Sequence, residues 1–185
     1  MNNQPQEIII TQLWLQRIVI GLNLCPFANK PWQKARIRFQ ISQATSSEQL
    51  HDDLTKEIER LQNTQFDQIE TTLLICPHAM NDFLAFNDFL HHVEDFLMQS
   101  ALDEEFHVAS FHPDYQFADT DASDVENFTN RSPYPILHLL RHRNISEVLA
   151  SYGNTDHIPQ ENVDKMKSLG IKHMQKLLLS CINQD

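Results

Sequence analysis

The sequence predicts an α/β domain of the α+β-like kind: a small, about four-stranded mixed sheet packed by roughly five helices. Two observations carry this. Short apolar segments bounded by proline or polar residues alternate with longer segments whose apolar residues recur every three or four positions, the order of strand-helix-strand units. The chain has 185 residues, 41% of them hydrophobic, enough to bury a core without a disulfide framework or a structural metal. No Pro-, Gly- or Ser-rich linker divides it, so residues 1–185 are read as a single compact domain.

From Pro5 to about Leu22, Ile9, Leu13, Ile18 and Leu22 recur at helical spacing beside Trp14 and Leu15, with Gln12, Gln16 and Arg17 on much of the other side. This predicts a helix ending near Gly21. Cys25 must then be irregular, because the residue before Pro26 is pushed out of the helical region. Ile37, Phe39 and Ile41 alternate with Arg38 and Gln40, a half-exposed strand ending at Ser42. Leu50, Leu54, Ile58 and Leu61 mark an amphipathic helix over Ser47 to Leu61, with Ser46 or Ser47 to cap it. Thr71 to Cys76 is short, apolar and stopped by Pro77, as expected of a strand covered on both faces. The apolar density of Phe83, Phe86, Phe89, Val93 and Leu97 predicts a helix over Asn81 to Leu102.

Phe106 to Phe111 and Ile136 to Leu140 are the third and fourth strands, and helices are expected near Ser146 to Tyr152 and over Gln160 to Cys181, where Pro159 suits a helix start. The two strand-helix-strand units favour parallel pairing with right-handed crossovers. Between His112 and Pro135 lies a connection longer than the roughly 15 residues usual for a structureless loop, which points to function or disorder. Tyr115, Phe117, Phe128 and Tyr134 argue against disorder.

Charge and composition exclude several classes. Fourteen Lys and Arg against 25 Asp and Glu leave a net charge of −11, a field that disfavours nucleic acid and anionic membranes as partners. The three cysteines, Cys25, Cys76 and Cys181, suit a reducing compartment, and the cytoplasm is the expected location. The first residues lack the basic start and cleavage site of a signal peptide, and no apolar run reaches the roughly 18 residues of a membrane span. With only three glycines, widely separated, neither a P-loop nor a dinucleotide fingerprint can form, and the cofactor is left unassigned.

Three stretches stand out: Asn23-Leu24-Cys25-Pro26-Phe27-Ala28, then Phe111-His112-Pro113-Asp114-Tyr115-Gln116-Phe117-Ala118-Asp119, then Asn130-Arg131-Ser132-Pro133-Tyr134-Pro135 leading into Leu137-His138-Leu139-Leu140-Arg141. With Trp14 and Val19-Ile20-Gly21-Leu22 they resemble the motifs of an uncharacterised bacterial family, domain of unknown function 1415, over nearly the whole chain. That resemblance implies no activity, cofactor or catalytic residue.

The chemistry therefore rests on residue types. His112, at a strand end, is suited to general acid or base work, with Asp114 to orient it; the alternative is a structural turn. Asn130, Arg131, His138 and Arg141 are donors for a carboxylate or phosphate, with Tyr134 beside them; alternatively each Arg pairs with Asp119, Asp121, Asp124 or Glu126 and pins the loop. Cys25 is a candidate nucleophile, although a preceding helix C-terminus disfavours its thiolate, and a core or turn cysteine is the alternative. Cys76, before Pro77 and His78, and Cys181 read as structural. No His-Glu-x-x-His or paired Cys-x-x-Cys motif is present, which leaves a mixed set of His112, Asp114, Asp119 and His138 as the weaker metal alternative. Two functions follow. One is a small enzyme acting on an anionic metabolite in a pocket formed by the 112–141 region and the 23–28 turn, with His112, Asp114 and Cys25 catalytic. The other is a non-catalytic ligand- or protein-binding domain in which the same motifs are structural. Oligomeric state is left open.

Overall fold

The apolar alternation of the strands dictates a sheet with two buried faces, and the structure, a computed structural model describing residues 4–142 and 155–184, supplies a helical layer for each. Strands β1 (Ile37–Ile41), β2 (Thr71–Ile75), β3 (Phe106–Phe111) and β4 (Ile136–Arg141) lie in the order β1-β2-β4-β3. β1 and β2 pair in parallel, and β4 runs antiparallel to both β2 and β3. The sheet is therefore mixed. The second strand-helix-strand unit keeps β2 and β3 pointing the same way, but β4 is inserted between them, so the parallel pairing expected of neighbours holds only for the first unit.

Helices α1 (Gln6–Trp14), α2 (Asn29–Gln33), α3 (Ser47–Gln62) and α4 (Phe83–Gln99) precede β3, and α5 (Ile158–Leu169) and α6 (Ile171–Asn183) close the chain. α3 and α4 start where their side chains can replace missing backbone partners: Ser46 accepts from the Gln49 amide at 3.4 Å and Asp82 from the Ala85 amide at 2.8 Å. Their apolar stripes, Leu50, Leu54, Ile58 and Leu61 on α3 and Phe86, Phe89, Val93 and Leu97 on α4, join Leu74, Leu137, Leu139 and Phe106 in one core. Among the described residues no helix is long and apolar enough to cross a membrane.

The other face is covered by the chain ends. α1 continues as a π-helical segment, Leu15–Ile20, in which the Gly21 amide reaches back five residues to the Gln16 carbonyl at 2.9 Å. A side chain at position 21 would have its Cβ 2.5 Å from the Arg17 carbonyl oxygen, so this turn admits glycine alone without a shift. The carbonyls left over where this helix ends are taken by α5: Lys165 donates to Leu22 at 2.6 Å and Asn162 to Leu24 at 2.8 Å. α1, the π segment, α5 and α6 bury Trp14, Leu15, Ile18, Val19, Met166, Met174 and Cys181 against Leu73 and Ile136.

Two expectations change. The single helix over Gln160 to Cys181 is two, broken at Gly170, whose φ of 77° and ψ of 155° belong to a region open essentially to glycine. The short α2 and a 3₁₀ turn over Val125–Thr129 were not foreseen, since neither is long enough to show a period. The helix expected near Ser146 to Tyr152 lies outside the described residues.

Candidate functional site

Strand alternation decides which side chains meet. Arg38 reaches Glu57 of α3 at 2.6 Å and Arg141 reaches the Thr64 carbonyl after α3 at 2.8 Å, so these residues and their i±2 neighbours face the α3/α4 layer. Ile37, Thr71, Leu73, Ala109, Phe111, His138 and Leu140 point the opposite way, and the register places Leu73, His138 and Ala109 side by side across β2, β4 and β3. Over this patch the layer formed by Trp14, Leu15, Val19 and the 25–31 turn does not close down. A partly enclosed cavity of about 300 Å³ remains, lined also by Cys25, Phe27, Ala28, Pro31 and Glu70.

Among the described residues the wall is apolar apart from Cys25, Glu70, Thr71 and His138. Trp14 closes one side, its indole N–H held by the Arg131 carbonyl at 2.9 Å and its ring edge-on to Phe111 at 5.1 Å. His138 sits in mid-sheet, 6.2 Å from the Phe111 ring and 2.7 Å from Thr71 Oγ1 through Nε2. It lies deep in the protein yet retains accessible surface, because part of it faces empty volume instead of atoms. Burial pulls its pKa down to about 4, with a smaller push from His107. Cys25 faces the backbone amides of Phe27 and Ala28, which favour a thiolate, but burial outweighs them and raises the thiol above its ordinary value. Glu70 pairs with Arg36 at 3.8 Å.

The remaining candidates lie elsewhere. His112 is buried between Phe83 and Phe86, with ring centroids 5.3 and 5.2 Å away. Its Nε2 bonds the Met80 carbonyl at 2.9 Å and its Nδ1 accepts from the Asp114 amide at 3.0 Å. Both ring nitrogens are thus engaged, and burial lowers its pKa against the opposing Met80 bond and the Asp114 and Asp82 charges. The orienting group is the backbone of Asp114, not its carboxylate. The carbonyl that His112 holds belongs to a residue with φ of 60°, a left-handed conformation costly for methionine, so this imidazole fixes the turn after β2.

The two arginines bind neither a cavity nor the loop carboxylates that were the alternative partners. Arg131 donates to the carbonyls of Tyr115 at 3.2 Å and Ala122 at 2.7 Å and lies 4.8 Å over the Phe128 ring, clamping the long loop. Arg141 donates to the carbonyls of Leu61, Thr64 and Ile69, covering the C-terminal end of α3. Asn130 donates to Ser110 at 3.3 Å, and Tyr134, raised above its ordinary pKa by burial, does not line the cavity. Asp119 holds a left-handed turn at φ 62°. The mixed metal set does not assemble: His138 faces the cavity while His112 is sealed in the loop, and no group of three or more metal-ligand side chains occurs among the described residues.

Of the predicted residues, the structure therefore brings Cys25 and His138 into one wall. Sequence reading missed Trp14, Thr71, Ala109 and Glu70 as wall residues. Thr71 and Ala109 share the β-strand period with His138, and that signal becomes usable only once strand order and register are known. It also missed Asn127, fully buried, which orders the long loop by accepting from the Phe117 amide and Thr120 hydroxyl, each at 3.0 Å, and donating to Asp121 at 2.8 Å.

A family model described as "Protein of unknown function (DUF1415)" matches residues 6–176. No curated protein and no solved structure matches.

Proposed function

The chain belongs to the family of proteins of unknown function DUF1415, and on that premise we propose that it is a ligand-binding domain, holding a small, largely apolar molecule between its sheet and its N-terminal helix. This is the binding reading of the two that the sequence allows. One observation carries it: a cavity of about 300 Å³ with an apolar wall, at the low end of the roughly 300–1,000 Å³ typical of small-molecule sites. Space of this kind is costly to leave between packed layers, since its lining forgoes dispersion contacts. The π-helical segment contributes Leu15 and Val19 to the wall, and such segments occur frequently at functional sites.

Two further features favour binding over turnover of an anion. Among the described residues no Lys or Arg side chain lines the cavity. The groups suited to acid-base and anion roles, His112, Arg131 and Arg141, are engaged with backbone.

The test is a titration of the ¹⁵N-labelled protein with a neutral aromatic probe, 2-methylnaphthalene, followed through backbone amide shifts. Saturable shifts centred on Val19, Leu73, Ala109 and Leu140 are expected, and Ala109→Leu, which fills the wall from β3, should remove them while the protein stays folded. Absence of saturable shifts, or equal shifts in folded Ala109→Leu, would overturn the reading.

A further inference from the structure

The protonation of His138 is dictated by its neighbours. Thr71 Oγ1 lies 2.6 Å from the Leu139 carbonyl oxygen, which can only accept, so the hydroxyl proton lies between these two oxygens. The same hydroxyl oxygen is 2.7 Å from His138 Nε2. Having given its one proton to Leu139, it accepts there, and Nε2 carries the hydrogen. A neutral imidazole has a single N–H, so Nδ1 is left with a bare lone pair. Burial keeps the ring neutral, with its pKa at about 4, so this tautomer persists at neutral pH.

That lone pair has no hydrogen-bond partner among the described residues, and its ring forms part of the cavity wall. Facing a partly enclosed, predominantly apolar cavity, this acceptor is poorly solvated, since a water there finds few of the two to four polar partners it needs. The wall also selects against charge. An anion would meet a lone pair and the Glu70 carboxylate with no Lys or Arg side chain among the described lining residues. A cation would lose its hydration in an apolar space where Glu70 is already paired with Arg36. For size, the cavity is roughly twice the ~150 Å³ of an engineered cavity that accepts benzene.

Resting on the cavity reading above, we infer that the ligand class is an uncharged, mainly apolar molecule of bicyclic size that donates one hydrogen bond, from a hydroxyl or N–H group, to His138 Nδ1. His138 is then the specificity-determining residue of the site, and Thr71 positions it by fixing which nitrogen is free.

Four probes of one shape separate the elements of this statement: 2-naphthol, 2-methylnaphthalene, 2-naphthoate and 2-(aminomethyl)naphthalene, titrated at pH 7 by calorimetry and by the ring nitrogen resonances of ¹⁵N-histidine-labelled protein. The naphthol should bind about five- to tenfold more tightly than the methylnaphthalene, the increment of one hydrogen bond, with both charged probes weaker still. In the free protein, Nδ1 of His138 should resonate as the unprotonated nitrogen and should shift with naphthol and not with methylnaphthalene. In His138→Leu the naphthol and methylnaphthalene should bind alike. If the two neutral probes bind the wild type equally, or a charged probe binds best, or Nδ1 carries the proton, the ligand class is overturned while the cavity reading stands. If no probe binds, the cavity reading fails and the ligand class falls with it.

Discussion

The α3/α4 face of the sheet and the face under α1, α5 and α6 are made by the same four strands, yet they use their polar residues in opposite ways. On the α3/α4 face, Arg38 is paired with Glu57 at 2.6 Å and Arg141 is spread over three carbonyls at the end of α3. Around them Leu50, Leu54, Leu61, Phe86 and Leu139 fill the space. On the other face, Thr71 and His138 stand in an apolar wall, His138 Nδ1 has no partner among the described residues, and its ring faces the cavity. The difference follows from connectivity. α3 and α4 are the crossovers that join consecutive strands, so each is held at both ends to the sheet it covers. The opposite layer, α1, the π segment, α5 and α6, buries Trp14, Ile18, Val19 and Met166 against the sheet and is tied together by hydrogen bonds among its own helices and loops: Trp14 to Arg131, Lys165 to Leu22, Arg17 to Ser180. A layer held to its neighbours in this way can stand off the sheet over a small patch without unravelling.

The strongest test of that division removes a large side chain from each face. Phe86, fully buried on α4, and Leu73, buried beside the cavity, should respond unequally to replacement by alanine. Phe86→Ala should cost about 3–5 kcal/mol, while Leu73→Ala should fall near ~2 kcal/mol, because part of its surface already faces a void. Urea unfolding of both variants measures the difference. Equal losses would mean that the second face is as tightly packed as the first.

How much of this contrast was legible beforehand depends on the range of the interactions involved. The strands at Ile37–Ile41 and Phe106–Phe111, the cap at Ser46 and the helix of Leu50, Leu54, Ile58 and Leu61 were readable because periodicity and capping are local. The order of the long loop was readable from its aromatics, although the residue that organises it, Asn127, was not, since a buried amide has no sequence signature. The break at Gly170 was hidden inside a continuous helical period, where one glycine is ordinarily tolerated. Of the predicted site residues, only Cys25 and His138 line the cavity. His112 and the arginines have the right chemistry, but they lie beside backbone carbonyls and amides that sequence cannot place, and those groups engage them first. The cavity itself is a property of how two layers fail to meet, which no single segment encodes.

The second test of the comparison uses pH, because the cavity face contains a neutral buried histidine. The unfolded chain takes up a proton on this residue near 6.5, the folded protein only near 4. Between these values the unfolded state binds more protons, so stability falls as pH drops from 6.5 towards 4 and is unaffected by this group above 6.5. A displacement of this size amounts to about 3 kcal/mol across the window. His107 and His112 are shifted in the same direction by burial, so the wild type alone does not isolate His138. His138→Leu does: its unfolding free energy should drop less than that of the wild type between pH 7 and pH 4, by about 3 kcal/mol. Parallel curves for the two proteins would show that His138 is protonated in the fold and that the cavity is wetter than its lining implies.

The smallest expected effect probes the α3/α4 face at one of its two buried polar atoms without a partner among the described residues, the other being Arg141 Nε. Thr72, adjacent in sequence to the Thr71 that orients His138, points the other way, and its hydroxyl is fully buried without a hydrogen-bond partner among the described residues. On the cavity side the hydroxyl of Thr71 has two partners, whereas here the same functional group contributes only a desolvation cost. Valine has nearly the shape of threonine and suits a central strand, so Thr72→Val should stabilise the protein by about 1 kcal/mol, and Thr71→Val should destabilise it by a similar amount. The pair differs only in which face the residue addresses. A gain for one and a loss for the other would show that polar groups are required on the cavity face and dispensable on its opposite. Two losses would mean that Thr72 also has a partner in solution, and that the α3/α4 face is less dry than its packing indicates.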